Sequence, residues 1–358
     1  MDFTCDALLA VLFAKADINK IPLGGSFELT PRCTLDCKMC YIHRKENDRS
    51  AVSLEKDAKF WIDLAEKARD AGTLLLLLTG GEPMLRPDFD EIYVACKKLG
   101  LLVTVNTNAT LIDDEKIRLF QEYPPHKINV TLYGASPETY GKLCGSEAAY
   151  HKVTEAIRKM VDAGIKVKLN YSITPANVDD IPAVNAFAKE LGLQIQASSY
   201  MFSPTRGGAC EFRLTPEEAA KAKLEWQKHN LDEDAFARLL ESDSSPPSDD
   251  VMCSEPINCR AGTSTFWVTW EGRMSLCGMM AEPSVPITDF TDAWQKISAE
   301  SCKIYLPAEC NGCEHRKKCD MCAAVAATET GKSDCVPEYA CKKAHEYARL
   351  CKEISPRQ

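Results

Sequence analysis

Four times in the first two hundred residues the chain runs from a charged, helix-like stretch to a glycine and straight into an apolar run. EKARDAG, ending at Gly72, leads to TLLLLLTGG. CKKLG, ending at Gly100, leads to LLVTVNTN. KMVDAG, ending at Gly164, leads to IKVKLNYSIT, and AKELG, ending at Gly192, leads to LQIQASSY. A glycine just past a helix adopts the left-handed cap conformation cheaply. The runs that follow are short, apolar and often β-branched, as expected of parallel strands buried on both faces. Adding SFELT (26–30) and KINVTLY (127–133) gives six strands. The intervening helices are expected near 54–71, 87–99, 113–122, 149–163 and 177–191. Strands joined by helices at this spacing form βαβ units. The fold class is α/β, and six units make a partial barrel or an open sheet. A complete eight-unit barrel needs about 250 residues.

Such folds carry their chemistry at the carboxyl ends of the strands. Three stretches fall there: PRCTLDCKMCYIHR (31–44) after the first strand, Thr79-Gly80-Gly81-Glu82-Pro83 after the second and Asn106-Thr107-Asn108 after the third. The first packs Cys33, Cys37 and Cys40 into a C-x3-C-x2-C spacing. A structural zinc wants four closed ligands, so a triad either borrows a fourth, with His43 nearby, or leaves a position open.

The setting decides how thiols are read. The apolar run ALLAVLFA (7–14) follows Asp2 and Asp6 where a signal peptide would carry Lys or Arg, so residues 5–15 are expected to form a packed N-terminal helix. No stretch approaches the ~20 apolar residues of a membrane span. The expected location is the cytoplasm, where clustered cysteines bind metal. With a net charge of −9 and no long basic block, nucleic acid is not an expected partner.

The triad and GGEP on consecutive strand ends resemble the radical S-adenosylmethionine superfamily, whose hallmark is C-x3-C-x2-C on the loop after the first strand. The resemblance implies a partial (β/α)6 TIM-like barrel and a [4Fe–4S] cluster on Cys33, Cys37 and Cys40. One iron is left open for the amine and carboxylate of S-adenosylmethionine. It also implies Tyr41 near the adenine, Gly80, Gly81, Glu82 and Pro83 at the methionine amine, and Thr131 and Asn170 as further cofactor contacts. The implied chemistry is reductive cleavage to a 5′-deoxyadenosyl radical that abstracts a hydrogen atom. A flavodoxin or ferredoxin would supply the electron.

Beyond residue 240 the composition changes. ESDSSPPSDD (241–250) reads as an acidic linker. Then come Cys253, Cys259, Cys277, Cys310, Cys313, Cys319, Cys322, Cys335 and Cys341. TFWVTW and MSLC flank Gly272 in WEGR, which reads as a hairpin with thiolates at its ends. Paired C-x2-C knuckles suit tetrahedral zinc, and this many thiols also suit two [4Fe–4S] clusters. The arrangement resembles the SPASM extension of peptide- and protein-modifying members, departing by one residue before Cys322. By that resemblance Cys253, Cys259, Cys277 and Cys322 hold one auxiliary cluster. Cys310, Cys313, Cys319 and Cys341 hold another, with Cys335 the rival for the last place. The expected division is 1–25 N-terminal helical segment, 26–210 radical barrel, 211–250 bridging helices and linker, and 251–358 SPASM domain with a hairpin and helices.

The resemblance implies a peptide substrate, in particular a ribosomal precursor peptide that receives a thioether, a carbon–carbon crosslink or an epimerised centre. Sulfatase-type maturases place an aspartate directly after the cysteine matching Cys277. This chain has Gly278-Met279-Met280 there. Small-molecule dehydrogenation is a further alternative, and a non-catalytic electron carrier or peptide-binding module is one of another class. About 25 residues precede the first strand, too few for a leader-binding domain. Cys144 in KLCGS and Cys210 in SPTRGGAC are expected on loops facing the triad, as candidate hydrogen-atom donors.

Overall fold

The computed structural model describes residues 5–42, 44–203, 212–241 and 259–354. Six parallel strands lie in sequence order: β1 (Gly24–Glu28), β2 (Leu75–Thr79), β3 (Leu102–Thr107), β4 (Lys127–Thr131), β5 (Val167–Ser172) and β6 (Gln194–Ser198). The connecting helices are α2 (Ala58–Asp70), α3 (Phe89–Lys98), α4 (Asp114–Glu122), α5 (Pro137–Cys144), α6 (Ala148–Asp162) and α7 (Ile181–Glu190). The four glycines that end helices in the sequence all have positive φ, from 63° at Gly192 to 110° at Gly72.

Beyond β1, whose residues are nearly all buried, the strands are not buried on both faces. In β3, Val103, Val105 and Thr107 are buried against the helices while Leu102, Thr104 and Asn106 are only half-buried. The same alternation in β4 leaves Asn129 and Thr131 facing the concave side. An incomplete barrel keeps its interior open, so polar residues are tolerated there. At the edge, Gln194, Gln196 and Ser198 of β6 are exposed, and such polar side chains blunt an unpaired edge.

The sheet does not end at the linker. β7 (Thr265–Val268) pairs in parallel with β1, and β8 (Arg273–Ser275) and β9 (Ser284–Pro286) extend it antiparallel. The order is β9-β8-β7-β1-β2-β3-β4-β5-β6. The hairpin read from WEGR turns at Gly272 (φ 77°), where an added Cβ would meet the Lys56 side chain at 2.6 Å. Phe266 of β7 packs on Phe27 of β1 and edge-on to Phe290 of α10 (Phe290–Ser301), joining the hairpin to the barrel core.

The N-terminal helix α1 (Cys5–Asn19) is longer than expected and less buried. Ala16 is packed and Asp17 accepts from the Thr263 and Ser264 hydroxyls, but Leu8, Val11 and Ile18 are exposed. α8 (Pro216–Asn230) and α9 (Glu233–Glu241) bridge the regions. α11 (Ala323–Thr330) and α12 (Glu338–Ile354) close the chain, and α12 lies against α8. No helix among the described residues is long and apolar enough to cross a membrane.

Candidate active site

The triad loop is closed at its base by a short parallel pairing of Arg32–Cys33 with Arg44–Lys45. Its back is tied to the end of α5, where Asp36 N–H donates to the Cys144 carbonyl (3.1 Å) and Lys38 N–H to that of Leu143 (3.0 Å). These bonds turn Cys33, Cys37 and Cys40 toward one cleft.

Gly80 and Gly81 are required by the same loop. A Cβ on Gly80 would lie 2.2 Å from the Thr30 carbonyl oxygen, and one on Gly81 would lie 2.2 Å from that of Arg32. The glycines thus admit the backbone of the triad loop, and Gly81 and Glu82 N–H groups donate to it at 2.7 and 2.8 Å. Glu82 is fully buried. It accepts from the Thr107 hydroxyl (2.9 and 2.8 Å), Asn108 N–H (2.8 Å) and Met84 N–H (3.2 Å), so it staples the end of β2 to the end of β3. Burial pushes its carboxyl up to about 7 despite those donors.

Asn108 carries the staple to the thiols. Its Nδ2 donates to Cys33 Sγ (3.3 Å) and Thr34 Oγ1 (3.0 Å), and its Oδ1 accepts from Thr110 N–H (2.9 Å). The turn forces Ala109 to φ 61°, backbone strain held in place beside a functional loop. Below, Glu55 accepts from Arg32 Nε at 2.7 Å and faces Arg86 at 3.5 Å. Arg86 also donates to the Leu29 carbonyl (3.0 Å). These pairs are nearly buried, and removing one member would strand a charge. Glu55 and Arg86 carry no local signal, since their partners are distant in sequence, and the NTN run after β3 marks Thr107 and Asn108 without showing what they bind.

The cleft has a volume near 400 Å³ and is lined by the three cysteines, Tyr41, Gly80, Gly81, Asn106, Thr131 and Ser172, with Tyr200, Phe202 and Met279 across from them. Glu82, Pro83 and Asn170 are not on its wall. Glu82 and Pro83 are buried beneath it, and Asn170 lies on β5 in register with Thr131. Burial raises the Cys33 thiol to about 12. The neighbouring Cys144 thiol, then burial, holds Cys37 well above its ordinary value. These groups stay protonated until a metal takes the proton's place. Three thiols, a backbone cradle and strand-end hydroxyls around one cavity fit a cluster with an open iron and a small polar ligand.

The expectation that Cys144 opens on this cleft is corrected. It is 1% exposed, lies behind Cys37 and is absent from the wall, because α5 ends by turning it inward at Gly145. Cys210, His43 and Cys253 lie outside the described residues.

The second cysteine set falls into two neighbourhoods. Burial raises the Cys277 thiol, with Cys322 and Cys259 nearby adding to the rise, and Cys259 responds likewise to burial and Cys322. Burial raises Cys319 with a contribution from Cys341, and raises Cys341 with one from Cys313. Cys310 sits one turn before Cys313, whose N–H points to the Cys310 carbonyl. Cys341 lies in the first turn of α12, whereas the Cys335 thiol points to Asp334. Among the described residues no three thiol, imidazole or carboxylate groups converge tightly enough for a single ion. A four-iron cubane spreads its ligands wider than one ion does. Tyr41 bridges the two regions: burial raises its phenol well above the ordinary value, with Glu28, Cys40 and Cys277 adding.

Residues 27–188 match the Radical SAM superfamily. The chain is 24% identical to the AdoMet-dependent heme synthase of Methanosarcina barkeri, over 86% of this chain and 92% of that one. It is 27% identical to the PqqA peptide cyclase of Gluconobacter oxydans, over 86% and 87%. The crystal structure of Streptococcus suis SuiB bound to precursor peptide SuiA superposes with a TM-score of 0.68 at 18% identity, covering 94% of this chain and 80% of that one. That likeness is one of fold.

Proposed function

This chain belongs to the radical S-adenosylmethionine superfamily, and on that premise we propose that it modifies a ribosomally made precursor peptide. The observation that carries the reading is the cleft itself, where three thiols and the Gly80–Gly81 backbone share a wall with Thr131 and Ser172. Family membership implies S-adenosylmethionine and one [4Fe–4S] cluster, for which Cys33, Cys37 and Cys40 are the ligands. When bound, that pair supplies a 5′-deoxyadenosyl radical. The chain's own residues orient it. Asn108 fixes Cys33, Tyr41 and Thr131 offer contacts to the nucleoside, and Tyr200, Phe202 and Met279 cover the opposite side against water. A peptide substrate is supported by a peptide cyclase relative of matching length and by a like-folded protein that binds a precursor peptide.

Two auxiliary [4Fe–4S] clusters are part of the proposal. One would use Cys253, Cys259, Cys277 and Cys322. The other would use Cys310, Cys313, Cys319 and Cys341, and the thiol neighbourhoods support that grouping. The pairing of Cys341 with Cys313 favours it over Cys335 as the last ligand. The proposed domain division is that of the sequence, with the hairpin also serving the barrel sheet. The proposed electron donor is a flavodoxin or ferredoxin, and the proposed location is the cytoplasm. A thiol hydrogen-atom donor, if the product is an epimer, would be Cys210, since Cys144 is sealed off.

A second reading has its own support: the heme synthase relative covers as much of this chain as the cyclase does, and it points to a tetrapyrrole substrate. The deciding experiment incubates anaerobically reconstituted, reduced enzyme with S-adenosylmethionine and candidate precursor peptides. The expected result is 5′-deoxyadenosine together with a peptide that has lost two hydrogens, or, for an epimer, has gained solvent deuterium. Conversion of an iron porphyrin and of no peptide would overturn the peptide reading.

A further inference from the structure

A second cavity lies against the radical cleft at Tyr200. Ser198, Tyr200 and Phe202 line the cleft on one side and on the other line this second cavity, near 300 Å³ and set between β6, α8 and the cysteine-rich region. These three residues are the wall that the two cavities share. The second cavity is apolar at Ile173, Trp226 and Val325, and carries three charged side chains: Lys223, Asp320 and Lys343. Lys223 Nζ donates to both Asp320 oxygens at 2.8 Å, and Lys343 Nζ donates to one of them at 3.2 Å.

Two ammonium groups share one carboxylate. The Lys343 side chain is 6% exposed and that of Lys223 19%, so water screens this excess charge poorly. Lys223 also donates to the Lys318 carbonyl (3.4 Å) and faces the Tyr347 ring, whereas Lys343 donates to Asp320 alone among the described residues and keeps donors to spare. Asp320 is itself half-exposed and answers two cations with one charge, so the open space in front of Lys343 suits a second anion.

We infer that this cavity, next to the cleft across Tyr200 and Phe202, is a carboxylate-binding site, which holds an acidic group of the substrate while another part reaches the triad. The inference rests on the reading of the triad cleft as the substrate's place of reaction. The carboxylate could be a glutamate or aspartate of a peptide or a propionate of a tetrapyrrole; the chemistry at the lysines is the same. Asp320 adjoins Cys319, and Cys322 also lines the cavity, so the rival role for the lysines is to offset the charge of an auxiliary cluster.

The test uses the fully reconstituted enzyme with S-adenosylmethionine and no reductant, so nothing turns over. Anaerobic binding is measured for two pairs of probes. One pair is a short fluorescent Gly/Ser peptide with a single Glu and its Gln counterpart. The other is coproporphyrin III and its tetra-amide. The acid is expected to bind roughly 10-fold more tightly than the amide in at least one pair. Lys343→Met and Lys223→Met should each remove most of that preference. Asp320→Asn, which deletes the competing anion, should keep or increase it, and it carries the test if Lys343→Met does not fold. Equal affinity within both pairs overturns the inference. So does a preference that survives both lysine substitutions, including the case in which those variants lose iron. A response from the porphyrin pair alone leaves the site standing and sinks the peptide reading. Acid preference for the peptide with no modification on turnover does the same.

Discussion

The triad loop and the C-terminal cysteine region both gather thiols, but they are built in opposite ways. The triad loop is held by groups that need no metal. Glu82 pins β2 to β3, Asn108 holds Cys33, and Glu55 joins Arg32 to Arg86 beneath the strand. Of the C-terminal thiols, Cys310 ends the 3-10 turn Ala308–Cys310, Cys319 follows the 3-10 turn Arg316–Lys318, Cys313 and Cys322 sit on the connections, and Cys341 lies in the first turn of α12. His315 Nδ1 and Arg316 Nε there are buried without a partner. The first region is a preorganised cradle with one place left for a ligand. The second has little regular structure around most of its thiols, so the proposed auxiliary clusters would couple metal binding to folding in it.

The sharpest way to break this contrast is to remove the triad. Replacing Cys33, Cys37 and Cys40 together with Ala should abolish 5′-deoxyadenosine formation and remove about four irons of about twelve. The barrel's circular dichroism should be unchanged. Loss of the fold would mean that the cradle is not preorganised.

The same treatment of the second region should have the opposite structural outcome. Cys322→Ala should cost about four irons and increase hydrogen exchange across 308–335, while β1–β6 remain protected. A finer form compares two neighbours. Cys341→Ala should lose a cluster and Cys335→Ala should keep full iron. The reverse would exchange their assignments.

A smaller effect probes the cradle through pH. Glu82 has a folded pKa of about 7 against an ordinary value of 4.5. The unfolded state therefore releases its proton first as pH rises, and stability falls between about 4.5 and 7. The loss is roughly 3 kcal/mol if burial is complete. Glu82→Gln cannot titrate, so its stability deficit relative to wild type should be largest near pH 5 and shrink by pH 8. Melting curves at the two pH values read this directly. A deficit that grows with pH would place the ionised form in the cradle throughout.

The contrast also explains what could be read from the sequence. The six strands and their helices were legible because the glycine caps and apolar runs are local signals. The helix α5 was passed over, although Ser136 caps its start, Pro137 opens it and Gly145 ends it. Its eight residues are crowded between β4 and α6, too short a stretch to show a helical apolar period. The thiol spacings identified the candidate ligands. They could not show that Cys144 turns inward, because burial depends on how α5 packs against the triad loop. Nor could they show that β7 joins β1, since a pairing across some 240 residues leaves no local trace. The side-chain staple of Glu82 leaves no local trace for the same reason: its partners, Thr107 and Asn108, belong to the next strand.

One measurement bears on both regions at once. Electron paramagnetic resonance of the reduced, reconstituted protein is recorded with and without S-adenosylmethionine, in wild type and in the triad variant. The cleft predicts that the cofactor shifts the signal of one cluster only, that this response vanishes in the triad variant, and that the remaining iron signals are unaffected by the cofactor. A protein with stoichiometric zinc and a single iron cluster would contradict the account of the second region. A wild-type signal indifferent to S-adenosylmethionine would contradict the open site on Cys33, Cys37 and Cys40.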